Sequence, residues 1–276
     1  MENFINSISE NLVFKDGIWY SKERSSVSYP DEGNALCFQL EENSFWFHHR
    51  NNCIISVVNR FANKKILFDI GGGNGFTSLA LENSNVETVL VEPGIAGIIN
   101  AKKRNLNNLI CSTLQDACIK KESIPNIGIF DVLEHIENDL DFLTELEQVL
   151  SNTGKLFITV PAFKFLWSAD DALAGHFRRY TLKKLKNKLS KANFEIEYST
   201  YIFSILPFPI FLFRTLPSLF RKKNKITLEI EQKRHNAGKL KNILNKIWGK
   251  EISFIQKNKK IPFGSSCLVV AKKKNI

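Results

Sequence analysis

No apolar run in the chain reaches the roughly 20 residues that a membrane-spanning helix needs. The most aromatic stretch, Tyr201-Ile-Phe-Ser-Ile-Leu-Pro-Phe-Pro-Ile-Phe-Leu-Phe213, is interrupted by Pro207 and Pro209 and followed at once by Arg214. Five cysteines, Cys37, Cys53, Cys111, Cys118 and Cys267, are odd in number and show no CxxC spacing, which gives no support to a zinc ribbon or a redox pair. They read as buried, reduced thiols of a cytoplasmic protein. No set of ligands is clustered along the sequence, so no metal is expected. Met1-Glu-Asn-Phe-Ile-Asn6 has neither a basic nor an apolar leader region, so no secretory signal is expected, and no repeat or low-complexity stretch stands out.

What is present is 276 residues at 43% hydrophobic content, enough to bury one large α/β core with accessory segments. The informative segment is Ile66-Leu-Phe-Asp-Ile-Gly-Gly-Gly-Asn-Gly-Phe76, a buried-strand pattern running into glycines. Gly71, Gly73 and Gly75 permit a sharp turn and let a ligand approach backbone amides. A second strand, Thr88-Val-Leu-Val-Glu92, ends in a carboxylate about 20 residues on, where related folds hold a ribose. The Walker Lys-Ser/Thr pair is missing, and Asp69 would repel a pyrophosphate. A positively charged ligand fits better.

Asp69-x-Gly71-x-Gly73-x-Gly75, Glu92, Asp116 in Leu114-Gln-Asp-Ala117, and Asp131-Val-Leu-Glu-His-Ile136 follow one another in the order found in class I S-adenosylmethionine-dependent methyltransferases of the bacterial type 11/23-like subgroup, which the chain resembles. The resemblance covers roughly residues 46 to 203 and returns at Ser266-Cys-Leu-Val-Val-Ala271. It implies a Rossmann-like fold: a doubly wound, mostly parallel seven-stranded sheet with an antiparallel last strand. It implies S-adenosylmethionine as cofactor, with Asp69, Gly71, Gly73 and Gly75 at the methionine end, Glu92 at the ribose and Asp116 at the adenine, and with Asn74, Ala117 and Asp131 also among the cofactor-binding residues. The expected organisation is an extension over 1–45, the methyltransferase domain over 46–203 and 263–276, and an apolar and basic insertion over 204–262.

Periodicity places the remaining elements. Leu12 to Tyr20 carries an Asp-Gly turn between short apolar runs and predicts a hairpin. Phe45, Ile54, Val57, Val58 and Phe61 predict a helix over 41–61, whose Phe45-Trp-Phe-His-His-Arg50 is read either as a lid or as core packing. Strands are predicted near 109–112, 127–130 and 155–160, and a helix through Leu140, Leu143, Leu146, Val149 and Leu150 that Asn152-Thr-Gly154 ends. Alternating strands and helices imply a parallel sheet with ligands at the carboxyl ends of its strands.

Methyl transfer from a sulfonium asks for a positioned nucleophile and, for a hydroxyl acceptor, removal of its proton. His135, just past the fourth strand of the motif series, is one candidate base; helix capping is its alternative role. Trp167-Ser-Ala-Asp-Asp171 followed by Gly175-His-Phe-Arg-Arg-Tyr-Thr181 concentrates polar chemistry in one loop. It makes His176 the second candidate base and Trp167, Arg178, Arg179 and Tyr180 candidate acceptor contacts. The competing reading pairs Asp170 or Asp171 with Arg178 or Arg179 to brace the loop, with Thr181 capping a helix.

Charge is divided near Gly175: residues 1–175 carry 14 Lys+Arg against 23 Asp+Glu, and residues 176–276 carry 24 against 5. The basic third, with Lys183-Lys184, Arg221 to Lys225 and Lys257 to Lys260, fits an anionic membrane surface, a phosphorylated partner, or a merely solvated face. Beside the broken aromatic stretch it allows peripheral attachment at the inner face of the membrane, against a buried cap or a dimer interface as alternatives. The expectation is therefore a cytoplasmic methyltransferase, peripheral at the membrane in one reading, acting on oxygen of a small or lipid-linked acceptor. RNA or protein methylation is the second reading, with nucleic acid disfavoured because no stacking platform is visible. A cofactor-binding regulatory module is the third.

Overall fold

Leu67–Ile70 and Thr88–Val91 are buried at every position, as strands covered on both faces are. The computed structural model describes residues 1–23, 37–220 and 241–274. Its strands are β1 (Leu12–Lys15), β2 (Ile18–Ser21), β3 (Ile66–Ile70), β4 (Glu87–Val91), β5 (Leu109–Cys111), β6 (Ile124–Phe130), β7 (Leu150–Pro161), β8 (Phe194–Ile202) and β9 (Ser266–Lys273). They form one sheet in the order β1-β2-β5-β4-β3-β6-β7-β9-β8. Strands β2 through β7 run parallel where they pair, and β9 is inserted antiparallel between β7 and β8, as the resemblance implied.

The sheet has nine strands rather than the seven expected. The predicted hairpin forms around Asp16 and Gly17, both at positive φ. It adds two strands at one edge because β2 lies parallel to β5, Trp19 opposite Ile110 and Tyr20 opposite Cys111. Helix α1 (Glu2–Ile8), which the sequence reading left undefined, buries Ile5 and Ile8 in the same core cluster as Phe68. Of the cysteines, Cys53, Cys111 and Cys267 are buried as expected, whereas Cys118 is exposed and Cys37 intermediate; all five are free thiols.

Helix α2 (Phe45–Phe61) begins where Ser44 accepts a hydrogen bond from the Phe47 amide at 3.3 Å, four residues later than predicted because the cap, not the periodicity, sets the start. The loop-to-helix turn after β3 leads into α3 (Phe76–Glu82), and β4 leads into α4 (Ile95–Lys103). Helix α5 (Asp139–Val149) stops one residue before Leu150, which is already extended and pairs with Ile124. Asn152 to Gly154 thus lie inside β7, at an irregularity in its pairing with β6, and do not end the helix. Then come α6 (Ala169–Leu173), α7 (Leu182–Lys191), a helical run made of α8 (Pro207–Ile210), a π-turn (Phe211–Thr215) and α9 (Leu216–Phe220), and finally α10 (Lys241–Gln256).

Helix α10, inside the expected insertion, packs its Trp248 and Ile255 with Ile54, Val57 and Val58 of α2 into one core cluster. Buried Glu251 fixes it by accepting from His49 at 2.9 Å and from the Phe203 and Ser204 amides at 2.9 and 2.6 Å. Burial by itself would raise the Glu251 pKa, but the hydrogen bonds from His49 and Ser204 outweigh it and the net direction is down. The basic cluster Arg221 to Lys225 lies outside the described residues.

The chain re-enters the sheet through Gly264, where a Cβ would stand 2.2 Å from the Ile202 carbonyl oxygen. Gly264→Ala is therefore expected to cost about 1–3 kcal/mol and lower the melting temperature by roughly 2–10 °C. Gly249→Ala, exposed in α10 with open space around it, should be neutral or stabilising by up to about 1 kcal/mol. Equal melting temperatures for the two variants would refute this account.

Candidate active site at the carboxyl edge of the sheet

The register of the parallel strands brings the motif acids together: Asp69 lies opposite Leu90 on one side and Gly128 on the other. Asp69 is 1% exposed, and its carboxylate accepts from the Ser78 hydroxyl at 2.7 Å. Burial pushes its pKa up to about 6 despite that bond and the nearby Arg50 charge. Glu92 is likewise raised to about 6 by burial, although the amides of Gly94 and Gly73 donate to it at 2.7 and 3.0 Å. The glycine turn has Gly71, Gly73 and Gly75 all at positive φ. A Cβ on Gly75 would meet Leu106 at 2.5 Å and Ala101 at 2.9 Å, so this position requires glycine on two counts.

The same region fits a cationic, ribose-bearing cofactor and not a phosphate. The buried Glu92 carboxylate directly follows β4, the position where related folds hold a ribose by its hydroxyls. The nearby guanidinium, Arg50, is occupied: it donates to Asp131 at 2.5 Å and to the Thr77 hydroxyl at 2.8 Å. Asp131 itself sits at φ +58, a conformation that non-glycine residues rarely adopt and that persists only when neighbours enforce it. Asp116 lies in the turn after β5, its amide on the Thr113 hydroxyl and its carbonyl accepting from Asn11 at 2.5 Å. Ala117 is fully buried and accepts from Ser9. Asn74 is buried and faces the packing side, where its side chain meets Asn100 at 3.0 Å and Glu41 at 3.5 Å; Arg104 bonds its carbonyl. The aromatics of the α2 N-terminus are packed: Phe45 stacks on Trp248 and Trp46 on Phe203.

Facing this edge, the loop after β7 is closed at its root by the Ala162–Tyr180 bridge. Asp171, 2% exposed, is its organising residue. It accepts from the Ser168 amide at 2.9 Å, from Arg179 Nε and Nη2 at 2.7 and 3.0 Å, and from His176 Nδ1 at 2.9 Å. Burial would raise its pKa, but the His176 and Arg179 hydrogen bonds and the guanidinium charge hold it down at about 2. Because Asp171 stays ionised and accepts from Nδ1, Nε2 is left as the acceptor nitrogen of the neutral His176 tautomer. The ring of His135 meets that of His176 edge-on with centroids 4.6 Å apart. Burial, then the neighbouring His176, lowers the His135 pKa to about 4, so it is neutral at pH 7.

Arg179 takes the bracing role of the alternative reading, whereas Arg178 and Tyr180 are engaged by Asp139. Arg179 is forked onto Asp171 and also donates to the Ala162 carbonyl. Arg178 pairs with Asp139 at 2.8 Å and donates to the Glu137 carbonyl. Tyr180, 2% exposed, donates to Asp139 at 2.8 Å; burial and that bond raise its pKa. These side chains brace the loop, and a buried ring at Tyr180 has no face to offer an acceptor. Trp167 remains half-buried within the loop, and Thr181 caps α7 as read from the sequence.

Arg50 and Glu134 were not singled out by sequence reasoning. Glu134 is 1% exposed and its Oε2 has no hydrogen-bond partner; burial and the Asp131 charge push its pKa well up. Glu134, His135 and His176 each offer one ligand atom, all within 4.8 Å of one another, an arrangement with the donors a divalent cation takes. The sequence hid this trio because His176 follows His135 by 41 residues.

A family model described as a methyltransferase domain matches residues 46–199. Curated protein sequences give no match. Among solved structures, a Thermotoga maritima S-adenosylmethionine-dependent methyltransferase is similar at 14% identity and TM-score 0.54, covering 87% of this chain and 99% of its own. Phosphoethanolamine N-methyltransferase 2 of Haemonchus contortus is similar at 15% identity and TM-score 0.55, over 93% of this chain and 62% of its own. The Haloferax volcanii methyltransferase solved with its Trm112 activator is similar at 11% identity and TM-score 0.54, over 89% of this chain and 95% of that one. These likenesses carry the fold, and the family match over more than half of the sequence carries the identity: the chain belongs to the methyltransferase-domain family and is an S-adenosylmethionine-dependent enzyme.

Proposed function

We propose that the enzyme methylates oxygen of a small or lipid-linked acceptor whose hydroxyl is presented between His135 and His176. The observation that carries this reading is the Asp171–His176 dyad, 2.9 Å between Oδ1 and Nδ1, anchored by Arg179 at 2.7 Å. An oriented imidazole is what a hydroxyl acceptor requires, since its proton must leave as the bond to carbon forms. S-adenosylmethionine supplies an electrophilic methyl. The chain's part is to hold it along the glycine turn with Glu92 at the ribose, to align the acceptor oxygen, and to take the acceptor proton at His176 Nε2. Neutral His135 then supplies a second imidazole beside the same oxygen.

The test is transfer of labelled methyl from S-adenosylmethionine to an acceptor panel that starts with lipid-linked sugars and phenols. His176→Ala should lower turnover by about 10²–10⁴ while cofactor affinity stays within about twofold, and Asp171→Asn should lower it through loss of the oriented tautomer. Unchanged turnover in His176→Ala would overturn the assignment. A second reading follows from the unpartnered Glu134 Oε2: the trio with His135 and His176 holds a divalent cation that lowers the acceptor pKa. In that case activity is lost on chelation and returns with added metal, and under the base reading it is indifferent to chelator.

Cofactor affinity should also report the buried carboxylates. Glu92 and Asp69 have folded-state pKa values of about 6, above those of an unfolded chain. As pH falls through 6 they protonate, which stabilises the apo fold but removes the charge that the cofactor meets. Calorimetric titration should therefore show affinity falling by up to about tenfold per pH unit below 6 for each group that must be ionised, while the apo melting temperature does not fall in step. Glu92→Ala should weaken binding throughout. Affinity that is flat from pH 8 to pH 5 would overturn this account.

A further inference from the structure

The helical run after β8 leaves its apolar side chains in solvent. Phe208 is 75% and Phe213 74% exposed, with Phe211 and Leu212 also exposed beside them. Single apolar residues on a surface are ordinary, but these continue a larger patch. Phe211 lies 6.2 Å from exposed Phe165, which contacts Phe163 at 5.4 Å; Phe163 in turn contacts exposed Phe263 at 5.0 Å. Phe163 and Phe165 belong to the acceptor loop, and Arg214 of the π-turn reaches Asp170 of that loop at 3.7 Å. The apolar surface and the acceptor loop are therefore one continuous structure.

Its rim is cationic. Lys164 is exposed between the two loop phenylalanines, and Lys260 is exposed three residues before Phe263. Lys186 of α7 stands close enough to Lys260 that burial and the second ammonium lower its pKa. Among the described residues after Gly175 the acids are Glu195, Glu197 and Glu251. Glu251 is buried at its hydrogen bonds, Glu197 pairs with Lys155, and Glu195 pairs with Lys272. Glu195 and Glu197 lie toward the start of β8, roughly 20 Å along the strand from its Ile202 end at about 3.3 Å per residue. In the loop that carries Phe163 and Phe165, Asp170 is paired with Arg214, so the charge around the patch complements an anionic surface, and no helix among the described residues is long and apolar enough to cross a membrane.

We propose that the surface of Phe165, Phe208, Phe211, Leu212, Phe213 and Phe263 seats in the interface of an anionic bilayer, with Lys164 and Lys260 at the headgroups. The acceptor loop then takes an amphiphilic hydroxyl acceptor from that bilayer, a step that rests on the acceptor lying between His135 and His176. Aromatic rings at the acyl boundary and ammonium groups at phosphates are the two contributions that interfacial helices combine.

The experiment is flotation of the full chain with phosphatidylcholine vesicles made with and without phosphatidylglycerol. The wild type should float with the anionic vesicles, less so at high salt. The F208D/F213D variant should lose at least about tenfold in partitioning, with unchanged S-adenosylmethionine affinity showing that it is folded. A wild type that stays in the soluble fraction, or a variant that floats equally well, overturns the proposal. So does a wild-type dimer in sedimentation that F208D/F213D converts to monomer without vesicle binding, since the patch is then covered by a second copy. His176→Ala should float like the wild type, so a failed base assignment and a failed membrane assignment give different results.

Discussion

Three carboxylates, Asp69, Glu92 and Asp131, are held at one edge of the sheet, and the electrostatic cost of keeping them there organises what surrounds them. In the low dielectric of a covered sheet a carboxylate is costly to keep ionised, and the raised pKa values of Asp69 and Glu92 express that cost. Each is offset by a different device: a serine hydroxyl from α3, two glycine amides, and the Arg50 guanidinium from α2. The devices dictate the local backbone. Gly73 must turn its amide onto Glu92, and α2 must cross the edge of the sheet to deliver Arg50. A cationic cofactor held at these carboxylates, as proposed, would complete the balance.

Most of this half of the site was legible in the sequence because its signals are local. Strand, acid and glycines follow one another within Ile66 to Phe76, and Glu92 closes the next strand. What was not legible depended on partners far along the chain. The hairpin around Asp16-Gly17 could be read, but not its parallel pairing with β5, which makes the sheet nine strands wide. Helix α10 carries Leu244, Ile247, Trp248, Ile252 and Ile255 at helical spacing, yet the cationic residues around it drew attention to charge, and its packing on α2 became visible only in three dimensions. Arg50 looked like one more residue of an aromatic segment until its reach across 81 positions to Asp131 was seen.

The acceptor loop shows the opposite balance. Its composition announced chemistry, but composition does not say which polar groups face each other. Arg178 and Tyr180 are satisfied by Asp139, about 40 residues earlier, and Lys188 joins the same carboxylate at 2.6 Å. Arg179 is satisfied by Asp171. A buried carboxylate with several donors is costly to separate from any one of them, so these arginines are committed to holding the loop against β7 and α5. The same carboxylate, Asp171, orients His176, whose ring meets that of His135 edge-on.

A loop rigid at its root and apolar at its rim constrains the acceptor from two directions. Asp171 fixes the His176 imidazole through Nδ1, so on the proposed reading the reacting hydroxyl would enter with its oxygen near Nε2. Phe163, packed on Tyr201 at 5.0 Å and on Phe165 and Phe263, links that root to the exposed aromatic surface. A wholly polar acceptor would leave those rings facing water and gain nothing from them. Under the proposed O-methylation, an acceptor with a hydroxyl head and an apolar body would match the whole path, its head at the histidines and its body on the phenylalanines. Burying that body adds binding energy remote from the reacting atoms, the kind that holds a nucleophile in position for an in-line displacement.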